Sequence, residues 1–265
     1  MLNIVMTDLD GVIFDKHYRV TASTEKIVRL VSEKANIVPN SNTPMDRLSM
    51  FYRGATGIAE AGLISENGTI VQDFEGEIHY ACGGKEIMDF RLEIKSLFKS
   101  HGYTVCEGPI PVWIKEKRKF QPNNNFVFFD DCRERSLSLF FLVTDEDGNL
   151  VNSKTWCDVG KKILNTVEMP ELLDEFDFNP KYGIFISNVK GVSKTTGYQC
   201  LKGLYPKANF FMIGDSDYDI IDKGSITHLA VSNATQNLKD VSSFVAESEF
   251  TQGFAECLEW INKQL

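Results

Sequence analysis

Closely spaced cysteines of the kind that hold zinc are missing from this sequence. The 265 residues include six cysteines, and no two of them form a C-x-x-C pair. Cysteine-based zinc sites need such spacing, so no zinc centre is expected. Scattered free thiols are typical of a reducing compartment. The six are Cys82, Cys106, Cys132, Cys157, Cys200 and Cys257.

Long apolar runs are missing as well. A membrane-spanning helix needs about 20 consecutive apolar residues, and no stretch of this chain approaches that length. The only early apolar run, residues 2–6, is soon interrupted by Asp8 and Asp10, unlike the pattern of a secretory signal. We therefore expect a soluble, cytoplasmic protein.

Positive charge is in short supply. Lys and Arg number 28 against 37 Asp and Glu, which gives a net charge of −9. A general nucleic-acid binder neutralises phosphates with a surplus of Lys and Arg, so nucleic acid is not an expected partner. A local cationic pocket stays compatible with this balance. No membrane partner is expected either, and we expect a monomer or a weak homodimer.

Apolar runs that alternate with helical patterns stand at both ends of the chain. Residues 3–8 and 36–40 predict strands near the start, and residues 209–213 and 228–231 predict strands near the end. Strands that alternate with helices predict a parallel sheet covered by helices. The predicted fold class is therefore α/β, with a Rossmann-like parallel sheet as its core. Such sheets bind ligands at the carboxyl ends of their strands.

The middle of the chain has a different pattern. Residues 69–80 predict a hairpin, residues 85–100 predict a long helix, and residues 126–144 contain two antiparallel strands. This pattern indicates an α+β insertion between two parts of the parallel core. The predicted domains are the core, residues 1–80 with 187–265, and the inserted α+β domain, residues 81–186.

Aspartates follow the predicted strands at both ends of the chain. Asp8 and Asp10 stand two residues apart where the first strand ends, and alternate side chains of a strand share a face. Asp215 and Asp219 follow a later strand and lie four residues apart, on one side of a helical turn. A magnesium ion is the simplest compensation for carboxylates that converge at one sheet edge. One such carboxylate can attack an electrophile while its neighbour moves a proton.

Two further stretches offer the groups that bind a phosphate. Ser41 and Asn42 lie between a strand and a helix that Pro44 opens, so side-chain donors and free backbone N–H groups gather at a helix N-terminus. Lys194 stands near the start of the helix that follows the insertion. Its charge can neutralise both a phosphate group and crowded carboxylates.

Taken in order, these stretches resemble the four motifs of the haloacid dehalogenase superfamily of phosphatases. The large insertion between the second and third motifs is similar to the α+β cap of the superfamily's sugar-phosphatase branch. Residues 64–68 (Ile-Ser-Glu-Asn-Gly) and 231–234 (Val-Ser-Asn-Ala) also resemble that branch. Residues 40–43, 64–68 and 214–216 resemble mannosyl-3-phosphoglycerate phosphatases. The four motifs are Asp8-Leu9-Asp10-Gly11-Val12, Ser41, Lys194, and Gly214-Asp215-Ser216 with Asp219.

The resemblance implies catalytic and metal-binding roles for the aspartates. Asp8 would be the nucleophile that takes the phosphoryl group as an aspartyl-phosphate. Asp10 would protonate the leaving alcohol and then activate the hydrolytic water. Mg²⁺ would be held by Asp8, the backbone carbonyl of Asp10 and Asp215, with Asp219 in support.

The same resemblance implies a phosphate site and a substrate class. Ser41, Asn42 and Lys194 would bind the phosphate group. The implied activity is that of a magnesium-dependent phosphatase, and the implied substrate is a small phosphorylated metabolite such as a sugar phosphate.

Three positions depart from the pattern of that branch. Val12 stands where many relatives have Thr. Asn42 and Thr43 replace Gly-Arg after the second motif, so a substrate contact from that Arg is missing. Tyr218 replaces an Asn that can help to hold phosphate in relatives, which puts that contact in doubt.

Simpler interpretations of the same residues stay open. Asp8 and Asp10 could form a turn of solvated acids, Ser41 could only cap a helix, and Lys194 could be a solvated helix lysine. Asp15 is interpreted as a loop residue. The basic run of residues 115–119 is either a solvated turn or a source of cations for an acidic substrate.

Other functions also stay open. A phosphomutase would return the phosphoryl group to a sugar rather than to water. A binding or regulatory module would keep the fold with little turnover. A dehalogenase or phosphonatase is less expected, because those relatives carry a different type of cap.

Overall fold

The computed structural model describes residues 2–14, 19–108, 125–179 and 183–265. Its strands and helices are numbered in chain order within these ranges. The strands are β1 (Asn3–Thr7), β2 (Asn36–Pro39), β3 (Leu63–Ser65), β4 (Ile70–Gln72), β5 (Ile78–Tyr80), β6 (Thr104–Glu107), β7 (Asn125–Phe129), β8 (Leu137–Thr144), β9 (Leu150–Asn152), β10 (Asp177–Asn179), β11 (Ile184–Ser187), β12 (Asn209–Gly214), β13 (Thr227–Ala230) and β14 (Phe244–Val245). The helices are α1 (Ala22–Ser32), α2 (Met45–Thr56), α3 (Lys85–Ser100), α4 (Lys154–Leu164), α5 (Lys194–Leu204), α6 (Gln236–Val241) and α7 (Phe250–Gln264).

The described residues separate into two compact units. One unit combines Met1–Ala81 with Val192–Leu265, and the other is Cys82–Gly191. The boundary expected from the sequence after residue 186 falls inside β11, which belongs wholly to the second unit. Naming these units a catalytic core and a cap stays a prediction.

A five-stranded parallel sheet forms the centre of the first unit. Its strand order is β14-β13-β12-β1-β2, so β1 lies between a strand from each end of the chain. Met6 pairs with Val38 of β2 on one side and with Met212 of β12 on the other. The chain turns from one side of β1 to the other here, and such a switch point opens a crevice at the carboxyl ends of the strands.

The apolar strands of this sheet are buried on both faces, which is why they lack a polar alternation. Ile4 and Met6 face a cluster that includes Tyr198 and Leu201 of α5. Val5 faces the opposite cluster, which contains residues of α1, α2 and α7. The two faces of β1 therefore fix α5 on one side of the sheet and α1, α2, α6 and α7 on the other.

A small antiparallel sheet, β3-β4-β5, adjoins the carboxyl end of β2. An isolated bridge joins Asn40 to Ile64 in parallel fashion. The turn Glu66–Gly68 after β3 has positive φ angles at Glu66, Asn67 and Gly68, of 46°, 61° and 96°. This turn lies against the N-terminal part of α5, because a Cβ atom added to Gly68 would stand 2.1 Å from the carbonyl oxygen of Ser193.

The second unit is a mixed sheet with helices. Its strand order is β10-β11-β8-β7-β6, and β9 pairs with β8. Only β6 and β7 run parallel to each other among these pairs. Aromatic rings fill its interior, where Phe141 lies 5.2 Å from Phe98 and 5.3 Å from Phe185 between ring centroids.

The predicted fold class is confirmed: a Rossmann-like parallel α/β sheet carries an inserted α+β unit. The hairpin predicted over residues 69–80 corresponds to β4 and β5, and the helix predicted over residues 85–100 is α3. Over the part of the chain that is described, no helix is both long and apolar enough to cross a membrane.

Candidate active site

The carboxyl ends of the central strands place the sequence-predicted residues at one edge of the sheet. Asp8 directly follows β1, and its backbone N–H donates to the carbonyl of Ile213 in β12 at 3.1 Å. The N–H of Asn40 donates to the carbonyl of Thr7 at 2.8 Å. The parallel ladder therefore continues to the point where Asp8, Ser41 and Asp215 leave their strands.

Lys194 joins two of the predicted aspartates. It is the first residue of α5 and is 5 % exposed. Its Nζ lies 2.9 Å from Oδ2 of Asp8 and 2.7 Å from Oδ1 of Asp219. A buried ammonium needs such partners. The alternative of a solvated helix lysine is therefore wrong.

Asp219 anchors the turn that carries Asp215. Its Oδ2 accepts hydrogen bonds from the N–H groups of Asp215 and Ser216 at 3.1 Å each, and from Oγ of Ser216 at 3.0 Å. Its Oδ1 takes the ion pair with Lys194, and the side chain is fully buried. Asp219 can occupy this position because Gly214 has no side chain. A Cβ on Gly214 would stand 2.3 Å from Cβ of Asp219.

The turn after Asp8 packs directly against Asp215. The N–H of Leu9 donates to Oδ1 of Asp8 at 2.8 Å, which fixes the carboxylate at the strand end. Gly11 has a φ of +83°, and a Cβ on it would stand 2.0 Å from Oδ2 of Asp215. Only glycine combines that left-handed backbone with so close an approach.

Burial and like charges raise the pKa values of two aspartates. Burial raises the pKa of Asp8 from 3.8 to about 7, with a further rise from Asp219 and an opposing effect of Lys194. Burial and then Asp219 raise the pKa of Asp215 from 3.8 to about 6, and the charge of Asp10 adds to this. Burial alone would lower the pKa of Lys194, but its two carboxylate partners outweigh burial and raise it.

These carboxylates form an oxygen-rich cluster that fits a divalent cation. One oxygen each from Asp8, Asp215 and Asp219 lie within 4.8 Å of one another. Carboxylate oxygens are the ligands that Mg²⁺ prefers, and three carboxylates meet a single lysine here. Asp219 is the least available of the three, since its Oδ2 accepts three hydrogen bonds and its Oδ1 pairs with Lys194, whereas each oxygen of Asp8 has one such partner.

The remaining predicted residues lie around this cluster. Asp10 is exposed in the turn after Asp8. Ser41 is 4 % exposed, and its Oγ accepts the N–H of Thr43 at 3.2 Å, which shapes the loop before α2. Asn42 is half-buried in the same loop. The structure therefore gathers Asp8, Asp215, Asp219 and Lys194 into one cluster, and it places Asp10, Ser41 and Asn42 at the adjoining strand ends.

A model of the haloacid dehalogenase-like hydrolase family matches residues 5–258 of this chain. The chain belongs to this family of hydrolases. The match includes all four motifs and the insertion between them, so the acidic cluster is the expected position of the active site of this hydrolase.

Individual relatives show more limited likeness. A phosphoglycolate phosphatase of Methanosarcina mazei is 32 % identical over 85 residues, which cover 31 % of this chain and 37 % of that protein. The match therefore spans little more than a third of that relative.

Solved structures match this hydrolase over almost its whole length. A haloacid dehalogenase-like hydrolase from Bacteroides thetaiotaomicron has a TM-score of 0.65 and 15 % identity, covering 98 % of this chain and 100 % of its own. A phosphatase of the same superfamily and organism has a TM-score of 0.58 and 17 % identity, covering 98 % of this chain and 95 % of its own. At such identities the likeness shows the fold.

Sequence reasoning missed the contacts that hold the acidic turn. The carboxylate of Asp217 accepts hydrogen bonds from Nδ2 of Asn237 at 2.9 Å and from the hydroxyl of Thr235. The N–H of Thr235 also donates to the carbonyl of Asp215 at 2.9 Å. On the other side, Nδ2 of Asn233 donates to the carbonyl of Gly11 at 2.9 Å. The Val-Ser-Asn-Ala stretch had pointed to Asn233, although to no role.

Tyr218 lies away from the buried carboxylates. Its side chain is 81 % exposed, so it does not fill the space between Asp8 and Asp215. The sequence left this point open. Asp15 and the basic run 115–119 lie outside the described residues.

A second group of possible ligands lies in the inserted unit. One atom each from Asp130, Asp131 and Cys132 lie within 4.8 Å of one another. Asp130 is paired with the guanidinium of Arg133 at 3.7 Å and accepts the N–H of Cys132 at 3.3 Å. Protein groups already compensate the charge of Asp130.

Proposed function

We propose that this hydrolase is a magnesium-dependent phosphatase that acts on a small phosphorylated metabolite, with a sugar phosphate as the substrate class. The observation that carries the proposal is the carboxylate of Asp8, held at a strand end between the ammonium of Lys194 at 2.9 Å and the carboxylate of Asp215. The name of the Methanosarcina mazei relative, a phosphoglycolate phosphatase, supports the reaction class.

In the first step, an oxygen of Asp8 attacks phosphorus and the bond from phosphorus to the leaving oxygen breaks. Asp10, protonated, gives its proton to that oxygen, so an alcohol leaves and an aspartyl-phosphate remains. Asp10 is the more exposed acid of the turn, which suits a group that must meet both the alcohol and water.

In the second step, water attacks the phosphorus of the aspartyl-phosphate. Asp10, now a carboxylate, takes a proton from that water, and the bond between phosphorus and the Asp8 oxygen breaks. Inorganic phosphate leaves and both aspartates return to their starting state, so protons and electron pairs balance over the cycle.

The other residues of the site position and neutralise charge. Lys194 has an ammonium hydrogen left for a phosphate oxygen after its contacts with Asp8 and Asp219. Ser41 and Asn42 supply donors at the start of α2. Mg²⁺, held by Asp8, the carbonyl of Asp10 and Asp215, would neutralise the phosphate charge and hold it in line, which is most of what phosphoryl transfer needs.

The decisive experiment measures phosphate release from phosphorylated sugars, glycerates, glycolate and an aryl phosphate. We expect release that needs Mg²⁺, stops on chelation, and falls by on the order of 10³-fold or more in Asp8→Asn, because the amide is no nucleophile. Asp222→Asn is the matched control. That residue is exposed, its carboxylate pairs with Lys202 at 3.3 Å, and its φ of 32° is one that Asn tolerates.

Three outcomes would contradict the proposal. Near-normal turnover in Asp8→Asn would exclude the nucleophile. An isomerised phosphosugar without free phosphate would indicate a phosphomutase. Tight binding of phosphate compounds with no release, in folded protein supplied with Mg²⁺, would indicate a binding module.

A further inference from the structure

Asn40, one residue before the loop of Ser41, has an unusual environment. The residue is fully buried, and neither Oδ1 nor Nδ2 has a hydrogen-bond partner among the described residues. Its backbone N–H continues the sheet ladder and donates to the carbonyl of Thr7 at 2.8 Å. A buried amide without partners costs free energy, so its presence in a packed sheet calls for a function.

The strand register places this amide beside the nucleophile. Met6 of β1 pairs with Val38 of β2, and both face the cluster that contains Tyr198 and Leu201 of α5. Side chains alternate along a strand, so two residues further on Asp8 and Asn40 come to the same face, on neighbouring strands at the same level. Lys194 reaches Asp8 from α5, which confirms that the Asp8 carboxylate points to this face.

The carboxylate of Asp8 has capacity for another donor. Its Oδ1 accepts the N–H of Leu9 at 2.8 Å, and its Oδ2 lies 2.9 Å from Nζ of Lys194. Each carboxylate oxygen can accept two hydrogen bonds. A neutral amide is well suited to this place, because it adds a donor without competing with Lys194 for the phosphate charge.

We propose that Asn40 is a positioning residue for Asp8: in the phosphate-bound and phosphorylated states its amide N–H donates to the Asp8 carboxyl group and holds it in line for transfer. This inference rests on the proposed function. When Asp8 becomes an acyl phosphate, one of its oxygens bonds to phosphorus and the other remains as a carbonyl oxygen. A donor held rigidly in the sheet then fixes the rotation of that group.

The test uses Asn40→Leu, which keeps the side chain's size and branching and removes both polar atoms. We expect the melting temperature to rise by about 2–4 °C, because an unpaired amide is replaced by an apolar group, while kcat falls by about 10-fold to 100-fold with a smaller change in KM. If Asn40 had only a structural role, its substitution would not raise stability and lower kcat together. Asn40→Ala removes the same donors without steric risk, and its kcat must fall likewise.

Ser65→Ala is the matched control. The hydroxyl of Ser65 is equally buried and has no partner among the described residues. It lies on the next strand, β3, but on the face of Leu63, opposite to the face of Ile64 and Asn40. We expect this variant to keep the kcat of the wild type and to be at least as stable.

A second readout does not depend on turnover. Inorganic phosphate with Mg²⁺ should raise the melting temperature of the wild type and of Ser65→Ala, and should do so less in Asn40→Leu. Unchanged kcat together with equal protection by phosphate in Asn40→Leu would overturn the inference. If phosphate stabilises the variants to different extents but the wild type hydrolyses nothing, the proposed hydrolysis is overturned and the role of Asn40 is kept.

Discussion

At the scale of single residues, the site is a set of buried charges that compensate one another incompletely. Lys194 neutralises one charge, whereas Asp8, Asp215 and Asp219 bring three carboxylates within reach of one another. Burial is the main cause of the raised pKa values of Asp8 and Asp215, about 7 and about 6, and the neighbouring Asp219 adds to both. Such a cluster is poised to take a cation and a phosphate together, since each compensates the charge of the other.

A substitution at Gly11 tests this arrangement of carboxylates. In Gly11→Ala the new Cβ would stand 2.0 Å from Oδ2 of Asp215, and the φ of +83° strains any side chain. We expect a loss of about 1–2 kcal/mol in the free energy of unfolding, and a larger relative loss of magnesium-dependent phosphate release, because the Asp215 carboxylate has to rotate away. Denaturant titration and steady-state kinetics measure the two effects.

Gly54→Ala is the control for Gly11→Ala. Gly54 lies within α2, and no atom stands within 4 Å of a Cβ added there. We expect a gain of about 0.5–1 kcal/mol in stability with unchanged kinetics. Wild-type turnover in Gly11→Ala would show that the position of Asp215 does not matter for the reaction.

At the scale of elements, the packing of α5 against its neighbours determines where Lys194 lies. Gly197 of α5 packs against the β3 region, where an added Cβ would stand 2.3 Å from Cγ2 of Ile64 and 3.3 Å from Cα of Gly68. Nδ2 of Asn67 donates to the carbonyl of Val192 at 3.3 Å, just before the helix begins. The turn Glu66–Gly68 and the start of α5 are therefore one packed assembly.

Two substitutions within α5 separate the effect of helix propensity on stability from the effect of how the helix packs against the sheet. Gly197→Ala should lower stability by about 1–3 kcal/mol, because overpacking forces the helix away from the sheet, and should lower kcat by moving Lys194. Gly203→Ala, where no atom stands within 4 Å of an added Cβ, should raise stability by about 0.5–1 kcal/mol and leave kcat unchanged. Equal behaviour of the two variants in thermal unfolding and kinetics would refute this account of the helix.

At the scale of the whole molecule, both ends of the chain build one sheet. The N-terminal strand β1 lies between β2 and β12, so the acidic cluster forms only when the C-terminal segment has joined the sheet. The stability of that sheet therefore governs the site. His228 on β13 is 3 % exposed, and its Nε2 accepts the N–H of Ile221 at 3.0 Å, which requires the neutral ring.

His228 gives the pH dependence of stability a defined sign. Burial lowers the pKa of His228 below its ordinary value of 6.5, so between the lowered value and 6.5 the unfolded chain binds a proton that the folded chain does not. Stability from this residue is complete above pH 6.5 and is lost as the pH falls. We expect the wild type to lose more free energy of unfolding between about pH 7.5 and about pH 5.5 than His228→Gln, as measured by denaturant titration.

Comparing the wild type with His228→Gln separates the effect of His228 from that of groups whose contribution to stability falls as the pH rises. The raised pKa of Asp8 makes its contribution fall as the pH rises, but it is the same in both proteins. His101→Gln, at an exposed position after α3, should keep the pH dependence of the wild type. Parallel curves for wild type and His228→Gln would contradict the assignment.

Much of the site followed from local sequence. Asp8 and Asp215 were predictable because an apolar run that ends in an acid places that acid at a strand end, and parallel strands end together. The contact of Lys194 with Asp8 was expected from its place near the start of the helix after the insertion, where its charge can neutralise crowded carboxylates. The links from Asn233 to Gly11 and from Thr235 and Asn237 to Asp217 were not, because residues distant along the chain make them and no periodicity encodes such pairs.

The sequence by itself determined the class of fold and the chemical type of the site, since hydrophobic periodicity and the placing of acids at strand ends are local properties. Only the tertiary structure decided how the charges share their partners. It committed both oxygens of Asp219 to Lys194 and the acidic turn, and it buried the amide of Asn40 without a partner at the level of Asp8. These outcomes depend on register and on the seating of α5, where packing across the sheet, rather than any local preference, sets the distances.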